Sequence, residues 1–220
     1  MTEQKQHQNL SQPRDGGYTI IESLVAMIVV SVLMIAIAPV MAFSVATRVQ
    51  ARRMELATQA ARAYIDGLRS ESIKFNDPTI KGFPAKSIAT NAVDLANAPA
   101  PANQNNLYCI DLDANLGCAP SSNTDFYVQG AWLNRDPSIT NNDPTSKGYL
   151  LLVRVYRADS FASGVTLKNP PTATKQSIVG SGLGDKTMPV VEMSTEIPAI
   201  GTPSHKSFCN RLKTGTTLCP

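Results

Sequence analysis

From Ser23 to Thr47, 25 residues pass without a charged side chain, bounded by Glu22 on one side and Arg48 on the other. At a rise of about 1.5 Å per residue, a helix of that length spans the roughly 30 Å hydrocarbon core of a bilayer. The run therefore predicts a membrane helix. An ordinary secretory signal would end in a small-residue cut site, but Ala36 to Ala38 runs straight into Pro39. Beyond Arg48 the pattern stays helical and becomes one-sided. Ala57, Ala60, Ala61, Tyr64, Ile65 and Leu68 recur at i, i+3, i+4, i+7, i+8 and i+11, while Arg48, Arg52, Glu55, Arg62, Asp66 and Arg69 mostly take the other positions. Taken as one element, Thr19 to about Ser72 predicts a helix on the order of 80 Å long. Its second half should brace a folded head.

Asn76-Asp77-Pro78 and Gly82-Phe83-Pro84 stop the helical pattern. Residues 85–106, rich in Ala and Asn and interrupted by Pro99 and Pro101, show neither helical nor strand period over most of their length and predict a surface loop. Strand patterns follow at 125–132, with Phe126, Tyr127, Val128 and Trp132, and at 149–156, with Leu150, Leu151, Leu152, Val153 and Val155 around Arg154. The turn-rich stretch between them, with Asp136-Pro137 and Asn142-Asp143-Pro144, suits an antiparallel pair. A third strand at 190–197, flanked by Pro189 and Pro198, suits a sheet edge. Ser160 to Asp185 reads as a long loop. The fold class expected is α+β: a long N-terminal helix, half membrane and half amphipathic, on a small antiparallel sheet with long loops.

The chain is 43% hydrophobic, 17% charged and 6% aromatic, with net charge +3. Its Lys and Arg are scattered, so nothing resembles the basic stripe of a nucleic-acid footprint, and nucleic acid is not an expected partner. Two histidines, His7 and His205, leave little room for a histidine base or for paired imidazoles on zinc. His205 lies near Ser204 and Ser207 in sequence, which does not make a triad. Gly180-Ser181-Gly182-Leu183-Gly184 lacks the Lys-Ser/Thr and the strand-to-helix setting of a phosphate loop. No catalytic residue and no cofactor is assigned.

All four cysteines, Cys109, Cys118, Cys209 and Cys219, follow the long helix. An even count predicts disulfides if this part of the chain lies outside the cytoplasm; three connectivities are open, of which the local one, Cys109 with Cys118 and Cys209 with Cys219, closes two short loops. The pairs lack the Cys-x-x-Cys spacing of a zinc site. Asp111-Leu112-Asp113-Ala114-Asn115-Leu116-Gly117 is similar to the start of a calcium loop. However, Gly117 falls one place late, and Ser122 stands where a bidentate Glu belongs, with Asp125 nearby. A plain Asx-rich turn is the expectation there, and no metal site is assigned.

Basic residues on both sides of the apolar run, Lys5 and Arg14 before it and Arg48, Arg52 and Arg53 after it, leave its orientation open. The join between leader and run is more telling: Asp15-Gly16-Gly17-Tyr18-Thr19-Ile20-Ile21-Glu22-Ser23-Leu24. Here the sequence resembles the type IV prepilin and pseudopilin family, which has a short polar leader ending in glycine, an aromatic first mature residue, a glutamate fifth, and then an apolar helix. Those places fall on Gly17, Tyr18 and Glu22, with Pro39 where the family often carries a helix-loosening proline. Tyr18 replaces the commoner phenylalanine and keeps the ring. The resemblance covers about the first 70 residues.

What the resemblance implies is cleavage between Gly17 and Tyr18 by a prepilin peptidase on the cytoplasmic side, N-methylation of Tyr18, and a head facing the periplasm from the inner membrane. The chain would then divide into a leader at 1–17, a transmembrane and assembly helix at 18–47, its amphipathic continuation at 48–75, and a head at 76–220. The expected partners are other pilin or pseudopilin subunits, the peptidase and an inner-membrane assembly platform. The physics of Glu22 agrees, since a carboxylate at the edge of an apolar helix calls for a partner. The α-amino group freed at Tyr18 would serve, on the Glu22 of a neighbouring copy, and such a pair checks register because it is tolerable only when both members are present. Glu22 could instead simply favour the helix N-terminus. Pro39 should loosen the helix.

The function expected is a structural subunit, a minor pilin or pseudopilin of a type IV pilus-like or type II secretion-like filament, serving polysaccharide secretion or surface motility. The alternative is a tip-located binding module, an adhesin or DNA-uptake pilin, which an excess of exposed aromatic and Arg residues on the head would favour, but Trp132, Tyr149, Arg154, Tyr156 and Arg157 read more simply as strand residues. Residues 18–42 resemble the PilV and type II secretion I/J sort. Arg-Val-Tyr-Arg-Ala-Asp at 154–159 is similar to pseudopilins of hormogonium polysaccharide secretion.

Overall fold

The computed structural model describes residues 17, 19–87, 95–113, 117–133, 143–170, 184–201, 205 and 209. The chain divides into two compact units, Met1–Val45 and Ala46–Pro220, and the division falls inside helix α1, Ile20–Arg69.

In the second unit, α1 buries Gln50, Ala57, Ala60, Ala61, Tyr64, Ile65 and Leu68. The six apolar members are the stripe that the helical period predicts. The helix ends at Arg69, short of the expected 72 to 75, because Glu71 turns into the left-handed region at φ 57° and the Ile73 N–H donates back to the Gly67 carbonyl at 3.0 Å. Ile73 is thereby folded into the core under the last turn.

Five strands follow: β1 (Ala85–Lys86), β2 (Tyr108–Ile110), β3 (Phe126–Leu133), β4 (Tyr149–Arg157) and β5 (Val191–Ile197), with one 3-10 turn at Ala158–Phe161. They form one sheet in the order β1-β3-β4-β5, and β2 also pairs with β3. The β2–β3, β3–β4 and β4–β5 pairs are antiparallel. The sheet is nonetheless mixed and not wholly antiparallel: β1 runs parallel to β3, matching Ala85 with Ala131 and Lys86 with Trp132. The long connection from β1 to β3 permits this, since parallel neighbours need a crossover while antiparallel ones can be joined by a hairpin. β5 lies at the edge that Pro189 and Pro198 mark.

Period-2 alternation sorts the strand residues onto two faces. Phe126, Val128, Trp132, Tyr149, Leu151, Val153, Val155, Val191 and Ile197 share the core with the α1 stripe. On the other face Ala131, Leu133 and Leu152 pack with Leu95 and Ala98. The stretch 85–106 is therefore more than a surface loop: it supplies β1 and covers the outer face of the sheet. Arg154 holds it there. Its buried guanidinium donates to the carbonyls of Ala98 and Ala96, each at 2.5 Å, and to Glu192 Oε2 at 2.6 Å.

Candidate processing and assembly site

α1 begins at a cap. The Thr19 carbonyl accepts the N–H groups of Glu22 at 3.0 Å and Ser23 at 3.1 Å, and the Thr19 hydroxyl oxygen also accepts from the Glu22 N–H at 3.3 Å. Thr19 is thus the N-cap, and Glu22 sits in the first turn, where the unsatisfied N–H groups and the helix dipole favour a carboxylate. The sequence signal for this cap is Thr-x-x-Glu ahead of an apolar run, the capping-box spacing, which attention to charge alone overlooks. Gly17 is exposed just before it, and Tyr18 and the leader lie outside the described residues.

Past the cap the first unit presents apolar side chains all round: Val25 is 53% exposed, Leu33 55% and Ile35 74%. The helix is long and apolar enough, by length and composition, to cross a membrane. The two hydroxyls of its first turns are satisfied within the helix, Ser23 donating to the Ile20 carbonyl at 2.8 Å and Ser31 to the Met27 carbonyl at 2.7 Å. That is the requirement for hydroxyls in a medium without water. α1 runs without a break through Pro39. Proline carries no N–H, so the Ile35 carbonyl loses its helical donor there.

In the head, Cys109 and Cys118 are bridged, with Cα atoms 5.8 Å apart. Cys209 is also disulfide-bonded, while Cys219 lies outside the described residues. The bridge closes the turn that begins at the end of β2. Asp111 Oδ1 accepts the Asp113 N–H at 3.1 Å in an Asx turn, as the sequence predicts. The structure adds that Asp111 and Asp113 meet Asp125, a residue outside that turn. Asn115 lies outside the described residues.

The aromatic and Arg residues read as strand residues do lie in β3 and β4. Trp132, Tyr149, Arg154, Tyr156 and Arg157 are all buried, and Arg157 pairs with Asp159. Burial pushes the phenol of Tyr156 up to about 12 and raises those of Tyr64 and Tyr149 as well. These five residues serve the core and offer no exposed stacking surface. His205 is exposed, and Ser204 and Ser207 lie outside the described residues, as do 180–183 of the glycine-rich stretch.

Residues 12–38 match the family model of the prokaryotic N-terminal methylation motif, a type IV prepilin-like signal. No curated protein and no solved structure matches the chain. The matched residues take in Gly17, Tyr18 and Glu22 and the first half of the apolar helix. The motif supports a pilin-like or pseudopilin subunit processed by prepilin peptidase and assembled with other subunits. It points to a structural role, not an enzymatic one, and together with the apolar helix to membrane anchoring.

Proposed function

We propose that this chain is a minor pilin or pseudopilin of a type IV pilus-like or type II secretion-like filament, one that serves polysaccharide secretion or surface motility. One observation carries the reading: the methylation motif lies across a capped helix start whose first turn holds a carboxylate, followed by a helix apolar on every side. Before assembly the helix is a single-pass inner-membrane anchor with the head in the periplasm. Cleavage after Gly17 frees the α-amino group of Tyr18, which becomes N-methylated. In the filament that group pairs with Glu22 of an adjacent copy while the helices pack along 24–45, drawn from the membrane by an inner-membrane assembly platform. Inside such a bundle both charges are shielded from water, so a subunit out of register leaves each unpaired at a cost of several kcal/mol.

Intact mass and N-terminal sequencing of the protein from its native membrane test this. The expected chain begins with N-methylated Tyr18 and lacks four thiol protons. A chain beginning at Met1 would overturn the prepilin route and leave a plain membrane-anchored protein. Glu22→Val should insert and lose its leader normally but fail to enter filaments. A deletion strain should lose extracellular polysaccharide or surface movement, and a strain retaining both would overturn the assigned role.

A further inference from the structure

We propose that Asp111, Asp113 and Asp125 form a calcium site on the head, beside the turn closed by the Cys109–Cys118 bridge. Two of the carboxylates come from one turn and the third from the residue before β3, and one oxygen of each lies within 4.8 Å of those of the other two. Asp111 directly follows β2 and Asp125 directly precedes β3. The antiparallel register that pairs Ile110 with Phe126 sets these two residues side by side at the end of the ladder.

Asp125 is only 1% exposed. Its Oδ1 accepts the Leu112 N–H at 3.1 Å, but its Oδ2 is buried with no hydrogen-bond partner among the described residues. A carboxylate oxygen out of water and unsatisfied is costly, and more so where two further carboxylates crowd it, because like charges at this spacing repel. A divalent cation among the three answers both demands, since it supplies the missing partner and cancels the repulsion.

The surrounding chain is built to hold this geometry. Asp111 Oδ2 accepts the Gly117 N–H at 2.8 Å, and the Ser122 hydroxyl donates to Asp113 Oδ2 at 3.0 Å. Asp125 is fixed through its main chain, whose carbonyl accepts the Ala158 N–H at 2.9 Å. The bridge ties Cys118 back to β2.

Donor chemistry selects the ion. The cluster offers oxygen alone, with neither the imidazole nor the thiolate that zinc and copper favour, so a hard cation is called for. Calcium takes six to eight oxygens in flexible geometry and completes its shell with carbonyls and water, whereas magnesium demands near-ideal octahedral ligands. The third carboxylate comes from a strand start and not from the twelfth place of a loop, which is why spacing alone does not reveal the site.

The test uses the full chain in detergent, stripped with EGTA and titrated with CaCl2 to about 10 mM, above the range of weak extracellular calcium modules. Calorimetry should find one calcium per chain, and the thermal midpoint of the head, followed by Trp132 fluorescence, should rise with calcium and less with equal MgCl2. Asp111→Asn and Asp113→Asn should each weaken binding at least about tenfold. Asp125→Asn should abolish it, and Asp185→Asn, elsewhere on the head, should leave it unchanged. Absence of saturable calcium binding in the unaltered chain would overturn the proposal, as would binding that survives Asp111→Asn and Asp113→Asn. Because the measurement is made on dispersed protein, it stands apart from whether the chain assembles into filaments.

Discussion

The contact between α1 and the sheet turns on a missing side chain. Tyr64 is fully buried, and its hydroxyl donates to the Gly82 carbonyl at 2.6 Å. It reaches that carbonyl by passing over Gly130 of β3, where an added Cβ would run into the hydroxyl itself and come within 2.9 Å of Pro84 Cβ and 3.0 Å of its Cγ. Tyr64→Phe removes the donor and leaves the Gly82 carbonyl unsatisfied, a loss of about 1–3 kcal/mol. Gly130→Ala gains about 0.5–1 kcal/mol from a stiffer unfolded chain. Against this it overpacks the site by about 1–3 kcal/mol, and it displaces the hydroxyl from Gly82, so it forfeits the same hydrogen bond. That bond is lost once, whichever substitution removes it. In the Phe background the nearest obstacle has gone and only Pro84 must yield. The double variant should therefore be less destabilised than the sum of the singles by the shared bond, about 1–3 kcal/mol. Urea unfolding of the full chain in detergent, read by Trp132, the single tryptophan and itself 2% exposed, measures all four corners of the cycle. Additivity within about 0.5 kcal/mol would refute the shared-bond reasoning.

Arg154→Met should cost about 2–4 kcal/mol, less than a fully buried pair because Glu192 is 30% exposed. Amide exchange at Leu95 and Ala98 should rise in step, since the same guanidinium holds their segment to the sheet. Replacing Cys109 and Cys118 together by Ser should cost about 2.5 kcal/mol from the chain entropy of a loop with sequence separation 9, visible as a lower urea midpoint. Tyr64, Tyr149 and Tyr156 have phenols raised by burial, Tyr156 to about 12. The folded head therefore keeps protons that the unfolded chain releases above about pH 10. Stability is full below that pH and falls as pH rises toward 12, so Trp132 emission should report unfolding over that window, and Tyr156→Phe should shift the loss to higher pH.

Much of the head was legible because its signals are local and periodic. The α1 stripe from Ala57 to Leu68 follows from 3.6-residue spacing, and β3, β4 and β5 follow from β-branched and aromatic runs with proline at the ends of the last. β1 and β2, at two and three residues, are too short to display a period. Leu95 and Ala98 lie in an Ala- and Asn-rich, proline-broken stretch whose apolar residues follow no period, and their burial depends on Arg154 reaching across from a distant strand. The same limit hides the carboxylate cluster, because Asp125 joins Asp111 only through the β2–β3 register. The helix start differs: Thr19 and Glu22 are three residues apart, and the cap can be read directly from that spacing.

That cap gives Glu22 two roles that one substitution can separate. In the isolated helix its backbone N–H is bonded to Thr19 and its charge favours the first turn, an effect of about 0.3–1 kcal/mol at an exposed helix start. In the proposed filament its charge answers an α-amino group on a neighbour, and loss of one member of such a shielded pair costs about 3–5 kcal/mol. Glu22→Gln leaves the backbone bond and the side-chain shape in place and removes only the charge. If the residue serves the helix start alone, the Gln chain should insert, be processed and assemble almost normally, because a few tenths of a kcal/mol is small against the burial of the apolar run. If the charge pairs across subunits, insertion and processing should still be normal while assembly falls by two orders of magnitude or more, since about 3 kcal/mol is a factor above 100. Leader removal and filament yield measured on the same cells decide between them, and filaments of normal yield from the Gln chain would sink the pairing.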